Sequence, residues 1–307
     1  MQEIKLRFAS GPTVWTMYKG AVSGADIINK YTKLNVTVES TSSAPAVAQA
    51  VYDGVMDIGG PGEIGLLLDA FWGRGRYERP NKNLRALMAL GIIDFTYITS
   101  PKTGIKTVYD LKGKTVPRYT GTDWPFFDNV LEAYGLTAGV DYKQIPIAET
   151  NDAPDELILG RIDAFPNGGA SGLAPFQESV GEIVFIPLEK AMVLKAKAAH
   201  PDTMAGRLPF EFPADFFPSL KISSPVQGIS TPRVLFTTTD LPNDVAYTIV
   251  KTLIEHDSEY LALFGYRGSQ ASFLPEFPFH IGAVQAFKEA GIWTDEMQKA
   301  QDELILK

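Results

Sequence analysis

"DGVMDIGG", Asp53–Gly60, and "LGRIDAFPNGG", Leu159–Gly169, share one grammar. Each runs from a helix end to a glycine, one residue, an apolar residue, Asp, an apolar residue and then paired glycines. Gly54 and Asp57 map onto Gly160 and Asp163, an offset of 106 residues in both cases. A glycine that ends a helix before a short strand is common, so the match gains its weight from its surroundings. Ahead of the first copy stand "IKLRFAS" (Ile4–Ser10), which alternates as a strand does, and a turn, "GPTVWT". Tyr18, Ala21, Val22, Ala25 and Ile28 then fall at helical spacing. "LNVTVEST" (Leu34–Thr41) is β-rich, and "SSAPAVAQAVYDG" reads as a helix capped by Ser42 or Ser43 and ended by Gly54.

The second copy is preceded by the same order. "GKTVPRY" is a strand, "TGTDWPFFDNVLEAYG" a turn and helix, "VDYKQIPI" a strand and "APDELILG" a helix. Strands alternating with helices predict an α/β protein of two lobes, each a mostly parallel sheet flanked by helices. In such sheets ligands bind beyond the carboxyl ends of the strands. Between the copies, "NLRALMALGIIDFTYITS" supplies two strand-like segments, and Pro101 and Gly104 follow as breakers. Residues 200–232 are rich in proline and poor in periodicity. "RVLFTTT" (Arg233–Thr239) is a strand, and "PNDVAYTIVKTLIEHDSEYLALF" reads as one long helix with "EHDSE" on its solvated face. These features place lobe one at 1–98 plus 220–307 and lobe two at 99–219. The chain crosses near 97–102 and returns within 205–232.

Composition narrows the function. The 307 residues carry a net charge of −8 and no cysteine. An acidic surface disfavours nucleic acid and anionic membrane as partners. Without cysteine there are no disulfides, zinc thiolates or cysteine nucleophiles. His200, His256 and His280 are scattered, with no metal-ligand spacing, and there is no GxSxG elbow. "GGPGEIG" (Gly59–Gly65) lacks the spacing of a dinucleotide turn, and "YTGTDW" lacks the lysine of a phosphate loop. No catalytic residue, metal or cofactor is expected.

What remains is a set of hydroxyls, amides and bare backbone at the strand-to-helix turns. Ser10, Gly11, Thr13, Thr16, Thr41, Ser42, Ser43, Thr120, Gly121, Thr122, Asn167, Gly168 and Gly169 are the candidates. Each alone reads as a cap or turn residue; together they form a binding set that holds polar ligands without transforming them. Thr120–Asp123 sit where a helix N-terminus with free amides is expected. Trp15 and Trp124 stand beside these turns, either as core or as stacking surfaces, whereas Trp72 and Trp293 read as structural. Arg118 is either a bidentate partner for a carboxylate or half of a surface ion pair. Glu63 either faces Arg118 or accepts from a ligand hydroxyl or ammonium.

Five segments resemble a known family. "GIKTVYDLKGKTV" with the polar turn after it is similar to the start of the second lobe in type II periplasmic solute-binding proteins. "VTVESTSSAPAVAQAVYDGVMDIGG" resembles the first-lobe turn and helix of the TAXI receptors of TRAP transporters, with their Glu-Ser-Thr-Gly-Gly-Ser and Gly-x-x-Asp-[IL]-Gly patterns. "TGT" (120–122) is similar to their Ser-Gly-Thr, and "GRIDAFPNGG" to their Gly-x-Ile-Asp-Ala with paired glycines. "PFHIGAVQAFKEAGIW" (278–293) resembles their C-terminal Pro-Leu-His-Pro-Gly-Ala signature. The resemblance implies a monomeric periplasmic receptor, here in mature form without its signal peptide. It implies a small organic acid held between two hinged lobes and passed to the membrane subunits of a TRAP permease. An enzyme on the same scaffold, similar to a pyrimidine-precursor synthase, is the alternative. The chain departs from the pattern at "SGPTVWTMY", at Thr41–Ala44, at Pro117–Tyr119 and at Ile281. These departures imply a bulkier pocket and argue against ligands such as glutamate.

Overall fold

The computed structural model describes residues 4–306 apart from 122–123, 170–172, 214–219, 221, 223–224, 265–273 and 275. The chain forms two compact units, Met1–Ile92 with Pro232–Lys307, and Ile93–Thr231. Along unit one run β1 (Ile4–Ser10), α1 (Thr16–Tyr31), β2 (Leu34–Ser40), α2 (Ala44–Tyr52), β3 (Ile58–Glu63) and α3 (Ile64–Trp72). β1 pairs in parallel with both β2 and β3. The periodicities explain the packing. Leu6 and Phe8 bury one face of β1, and Met17, Ala21, Ala25 and Ile28 bury one stripe of α1. Ser43 is the N-cap of α2, its hydroxyl accepting from the Ala46 amide at 3.3 Å.

β4 (Leu84–Thr99) is one strand of 16 residues, not the two segments expected from sequence. Gly91 takes φ +76 within it, so the backbone passes through the left-handed region without ending the strand. β4 carries the chain into unit two. There follow β5 (Thr115–Tyr119), α4 (Phe126–Ala133), β6 (Lys143–Ile147), α5 (Ala153–Ile158), β7 (Phe165–Gly168), α6 (Leu173–Val180), β8 (Val184–Ile186), α7 (Lys190–Ala199), β9 (Leu208–Phe212) and β10 (Val226–Thr238). β5 pairs in parallel with β6, while β7 and β8 run antiparallel to β4. β9 and the first half of β10 lie in the segment that read as irregular. They pair antiparallel, from Val226 opposite Phe212 to Ser230 opposite Leu208. Pro209 masks their strand character, because proline is tolerated where a strand does not donate.

β10 returns the chain to unit one, where Arg233 stands opposite Glu63 and Phe236 opposite Gly59 of β3. α8 (Asn243–Glu255), α9 (Asp257–Phe264), α10 (Ile281–Glu289) and α11 (Asp295–Ile305) complete that unit. The expected single helix over 242–264 is broken at His256, whose φ of −112° and ψ of 27° leave the helical region. The His256 ring stacks on Tyr31 at 3.5 Å, and Glu259 takes the Lys30 ammonium at 2.9 Å and the Tyr31 hydroxyl at 2.8 Å. The segment that read as a solvated face therefore ties α9 to α1.

The repeat seen in the sequence has a physical basis. Gly54 and Gly160 both take φ +70. The Asp57 carboxylate accepts the Arg7 amide of β1 at 2.7 Å, and the Asp57 amide donates to the Arg7 carbonyl at 3.0 Å. The Asp163 carboxylate accepts the Thr115 amide of β5 at 2.8 Å, and its own amide donates to the Thr115 carbonyl at 2.8 Å. Each aspartate thus latches the start of a third strand onto the first strand of its own βαβαβ unit.

Candidate functional site

Because β1, β2 and β3 are parallel, their carboxyl ends reach one edge of unit one, and α1, α2 and α3 all begin there. Helix N-termini present amides without intrahelical acceptors and a partial positive charge. Ser10 and Ser40 are in register at this edge. The Thr41 amide donates to the Ser10 carbonyl at 2.7 Å, and the Ser40 hydroxyl donates to the Gly11 carbonyl at 3.1 Å. The Thr41 hydroxyl donates to the Ser43 carbonyl at 3.1 Å. These bonds fix both turns. Ser10 itself is fully buried, and its hydroxyl has no hydrogen-bond partner among the described residues.

Trp15 is the N-cap residue of α1 and supplies no side-chain cap. Its indole packs against Gly11, where a Cβ would stand 2.9 Å from Trp15 Cε3. Gly11 is therefore needed for the ring to lie there. Thr16 is half-buried, and Thr13 and Ser42 are exposed. Glu63, 5% exposed, is the N-cap residue of α3 and makes no cap bond through its side chain.

In unit two the corresponding edge is formed by the ends of β5, β6 and β7. It differs from expectation in its free donors. The Thr120 amide donates to the Ile147 carbonyl at 3.0 Å and the Gly121 amide to the Ala148 carbonyl at 2.9 Å. The first is engaged by the last residue of β6 and the second by the residue just beyond it. α4 begins only at Phe126, with Pro125 as its N-cap residue, so the helix does not start at the Thr120–Asp123 turn. Proline's fixed φ and missing N–H suit it to that place. Thr122 and Asp123 lie outside the described residues. The Asn167 side-chain amide donates to the Gly169 carbonyl at 2.6 Å, and the Gly169 backbone amide to the Asp94 carbonyl at 3.0 Å. Gly168 lies opposite Phe95, whose ring occupies the space of a side chain.

Trp124 packs edge-on against Phe95 at 5.2 Å and Tyr119 at 5.6 Å, so much of its ring belongs to the core. Tyr119 donates its buried hydroxyl to the Pro166 carbonyl at 2.8 Å. Arg118 is exposed and makes no hydrogen bond or ion pair among the described residues. It lines a pocket with Trp124, Pro125, Asp128 and Gln144. Asp128 accepts from Gln144 at 2.7 Å and from the Tyr142 hydroxyl at 3.0 Å.

One residue of this edge was passed over in the sequence. Glu149 follows β6 as Thr41 follows β2. The signal was present in "IPIAETND", since a carboxylate just beyond a strand's carboxyl end occupies the position that singled out the hydroxyls. Its carboxylate lies over Gly121, where a Cβ would collide with Glu149 Oε1. Burial first, and then the Asp152 carboxylate, push Glu149 above the ordinary carboxylate range. Among the described residues no group of three His, Asp or Glu side chains is placed to hold a metal ion. No described helix is long and apolar enough to cross a membrane.

The sequence pattern of the NMT1-like family matches residues 8–291. No curated protein matches the sequence. Solved structures share the fold. An ancestral arginine-binding protein bound to arginine superposes with a TM-score of 0.53 at 15% identity, over 86% of this chain and 98% of that one. The alkanesulfonate-binding protein SsuA of Xanthomonas axonopodis pv. citri, bound to MOPS, gives 0.52 at 13% identity over 98% and 84%. A substrate-binding protein of an ABC uptake transporter from Streptococcus pneumoniae, with bound histidine, gives 0.54 at 9% identity over 86% and 94%. The fold is that of the type II periplasmic binding proteins.

Proposed function

The chain belongs to the NMT1-like family, and from that premise we propose that it is an extracytoplasmic receptor for a small organic acid. It binds the acid without transforming it and delivers it to a membrane permease; the motif resemblance supports a permease of the TRAP type. The observation that carries the reading is Ser10. Among the described residues its hydroxyl is buried without a partner, at the strand end from which the chain enters α1, a helix without a side-chain cap. A buried hydroxyl left unsatisfied is costly, and an acid oxygen satisfies it while meeting the α1 dipole. The Thr41–Ser43 turn stands beside it in register.

Differential scanning fluorimetry against a panel of carboxylates and sulfonates tests this. At least one acid should raise the unfolding midpoint, since a ligand that binds only the folded state stabilises it. Ser10→Ala should weaken that acid about tenfold, the equivalent of roughly 1.4 kcal/mol. A panel without effect on the wild type would contradict the reading.

A further inference from the structure

We infer that the acid carries a flat, aromatic body and that Trp15 receives it. This rests on the receptor reading above and concerns unit one alone. The chain has four tryptophans, and three of them are engaged by other rings. Trp72 meets Phe71 and lies under the Lys82 ammonium. Trp124 meets Phe95 and Tyr119. Trp293 meets Phe279 and Phe287, and its indole nitrogen donates to Gln298 at 3.0 Å. Trp15, half-buried at the start of α1, differs from all three. Among the described residues no ring or cation lies against it, and its indole nitrogen makes no hydrogen bond.

The strand end keeps room for that ring. A Cβ at Gly11 would stand 2.9 Å from Trp15 Cε3 and 3.3 Å from Cζ3, so the six-membered ring lies over the Gly11 backbone. Gly11 is not among the glycines with positive φ. Its missing side chain therefore serves the ring rather than a backbone turn. The buried Met17 thioether reaches the same place. Its Sδ is 3.2 Å from the Cβ position at Gly11, and its Cε is 3.5 Å from that at Gly62. The indole, Met17 and the bare backbone of Gly11 and Gly62 thus gather into one uncharged corner where β1 and β3 end. Val14, 70% exposed, continues the apolar character to the tip of the turn. Single apolar side chains scattered over a surface are ordinary. Trp15 is not scattered, since it is seated on the residue next to Ser10, the proposed acid contact. An aromatic partner set against an indole gains affinity beyond the area it buries. A ring already fixed before binding loses little freedom in the process. A puckered ring of similar size buries comparable area but has no π face to offer.

The test uses matched acids that differ in the flatness of the ring. Benzoate is set against cyclohexanecarboxylate, phenylacetate against cyclohexylacetate and benzenesulfonate against cyclohexanesulfonate. Affinities are read by calorimetry, and tryptophan emission is followed in parallel, on the wild type, Trp15→Phe and Trp15→Leu. Trp15 supplies no side-chain cap to α1, so neither variant removes a cap. In the wild type the aromatic member of the binding pair should be about fivefold tighter, within the range that aromatic pairing supplies, and should quench the emission. Trp15→Phe should keep most of the preference and lose the quench. Trp15→Leu should bring the pair within about twofold by weakening the aromatic member alone. Equal binding of both members to the wild type would overturn the inference and leave the receptor reading standing. A preference that persists in Trp15→Leu, or a loss of both members alike in Trp15→Phe, would do the same. Binding of chain acids with none of the ring acids would also overturn the inference alone, whereas a panel in which no acid binds would overturn both.

Discussion

Gly282→Val abolishes the folded state of unit one, and Gly282→Ala lowers the thermal midpoint by several degrees. Gly282 opens α10 against the first turns of α8. A Cβ there would collide with the Asn243 carbonyl oxygen and stand 2.8 Å from the Tyr247 amide nitrogen and 3.0 Å from Ala246 Cβ. The first two are backbone atoms inside a helix, which cannot turn aside as a side chain can. The anchor is also fixed from the other side. His280 is buried as the N-cap of α10, accepts from the Gly282 amide at 3.2 Å and contacts the Leu241 carbonyl at 2.9 Å. Burial is the main reason its ring resists protonation, and Arg85 adds to this. Overpacking a close contact costs about 1–3 kcal/mol and sometimes more, and the alanine variant should lie near the top of that range. Circular dichroism melts check it, and a midpoint unchanged by Gly282→Ala would show that α8 and α10 are less tightly fixed.

Gly168→Val should be the next most damaging change, and Gly59→Val its counterpart in unit one. Both glycines sit in a third strand directly opposite a phenylalanine, Gly168 opposite Phe95 and Gly59 opposite Phe236. Glycine weakens a strand by leaving no side chain to pack, and here the opposing ring covers the gap. At Gly168 a Cβ would stand 2.5 Å from Phe95 Cε1 and 3.3 Å from Trp124 Cη2. Phe95 cannot yield, since it is 1% exposed and wedged among Trp124, Phe126 and Phe127 at 5.2, 5.0 and 6.0 Å. Each substitution should cost about 2–3 kcal/mol. Gly168→Val should also displace Trp124 and alter the turn before α4, so its tryptophan emission should shift. Gly59→Val should destabilise unit one without that shift. Two midpoints within a degree of wild type would contradict the packing account.

Much of this architecture was legible because it is periodic or repeated. The Gly–Asp–Gly-Gly pattern pointed to a repeated unit, and the latch made by Asp57 and Asp163 explains why aspartate stands in both copies. Ser43 and Gly54 were readable as helix ends because capping is local chemistry. The rest depended on partners distant in sequence. The break at His256 comes from Tyr31 and Glu259, and no local signal distinguishes a helix from two helices that pack differently. "NLRALMALGIIDFTYITS" read as two strand-like segments, whereas the positive φ of Gly91 is accommodated inside one strand. β9 was hidden by Pro209. In the candidate site, Ser10, Thr41 and Ser43 were legible as turn residues, whereas the engagement of the Thr120 and Gly121 amides at the end of β6 depends on register. Glu149 was passed over for a simpler reason, since neutral turn residues carried the reading.

As the receptor proposed above, the chain should capture a small acid and return it unchanged. Native mass spectrometry after incubation with a metabolite extract measures this directly. The account predicts one anionic small molecule bound per chain and released intact on collisional activation. A chain that keeps its bare mass, or that releases a molecule chemically altered from the one supplied, would contradict it.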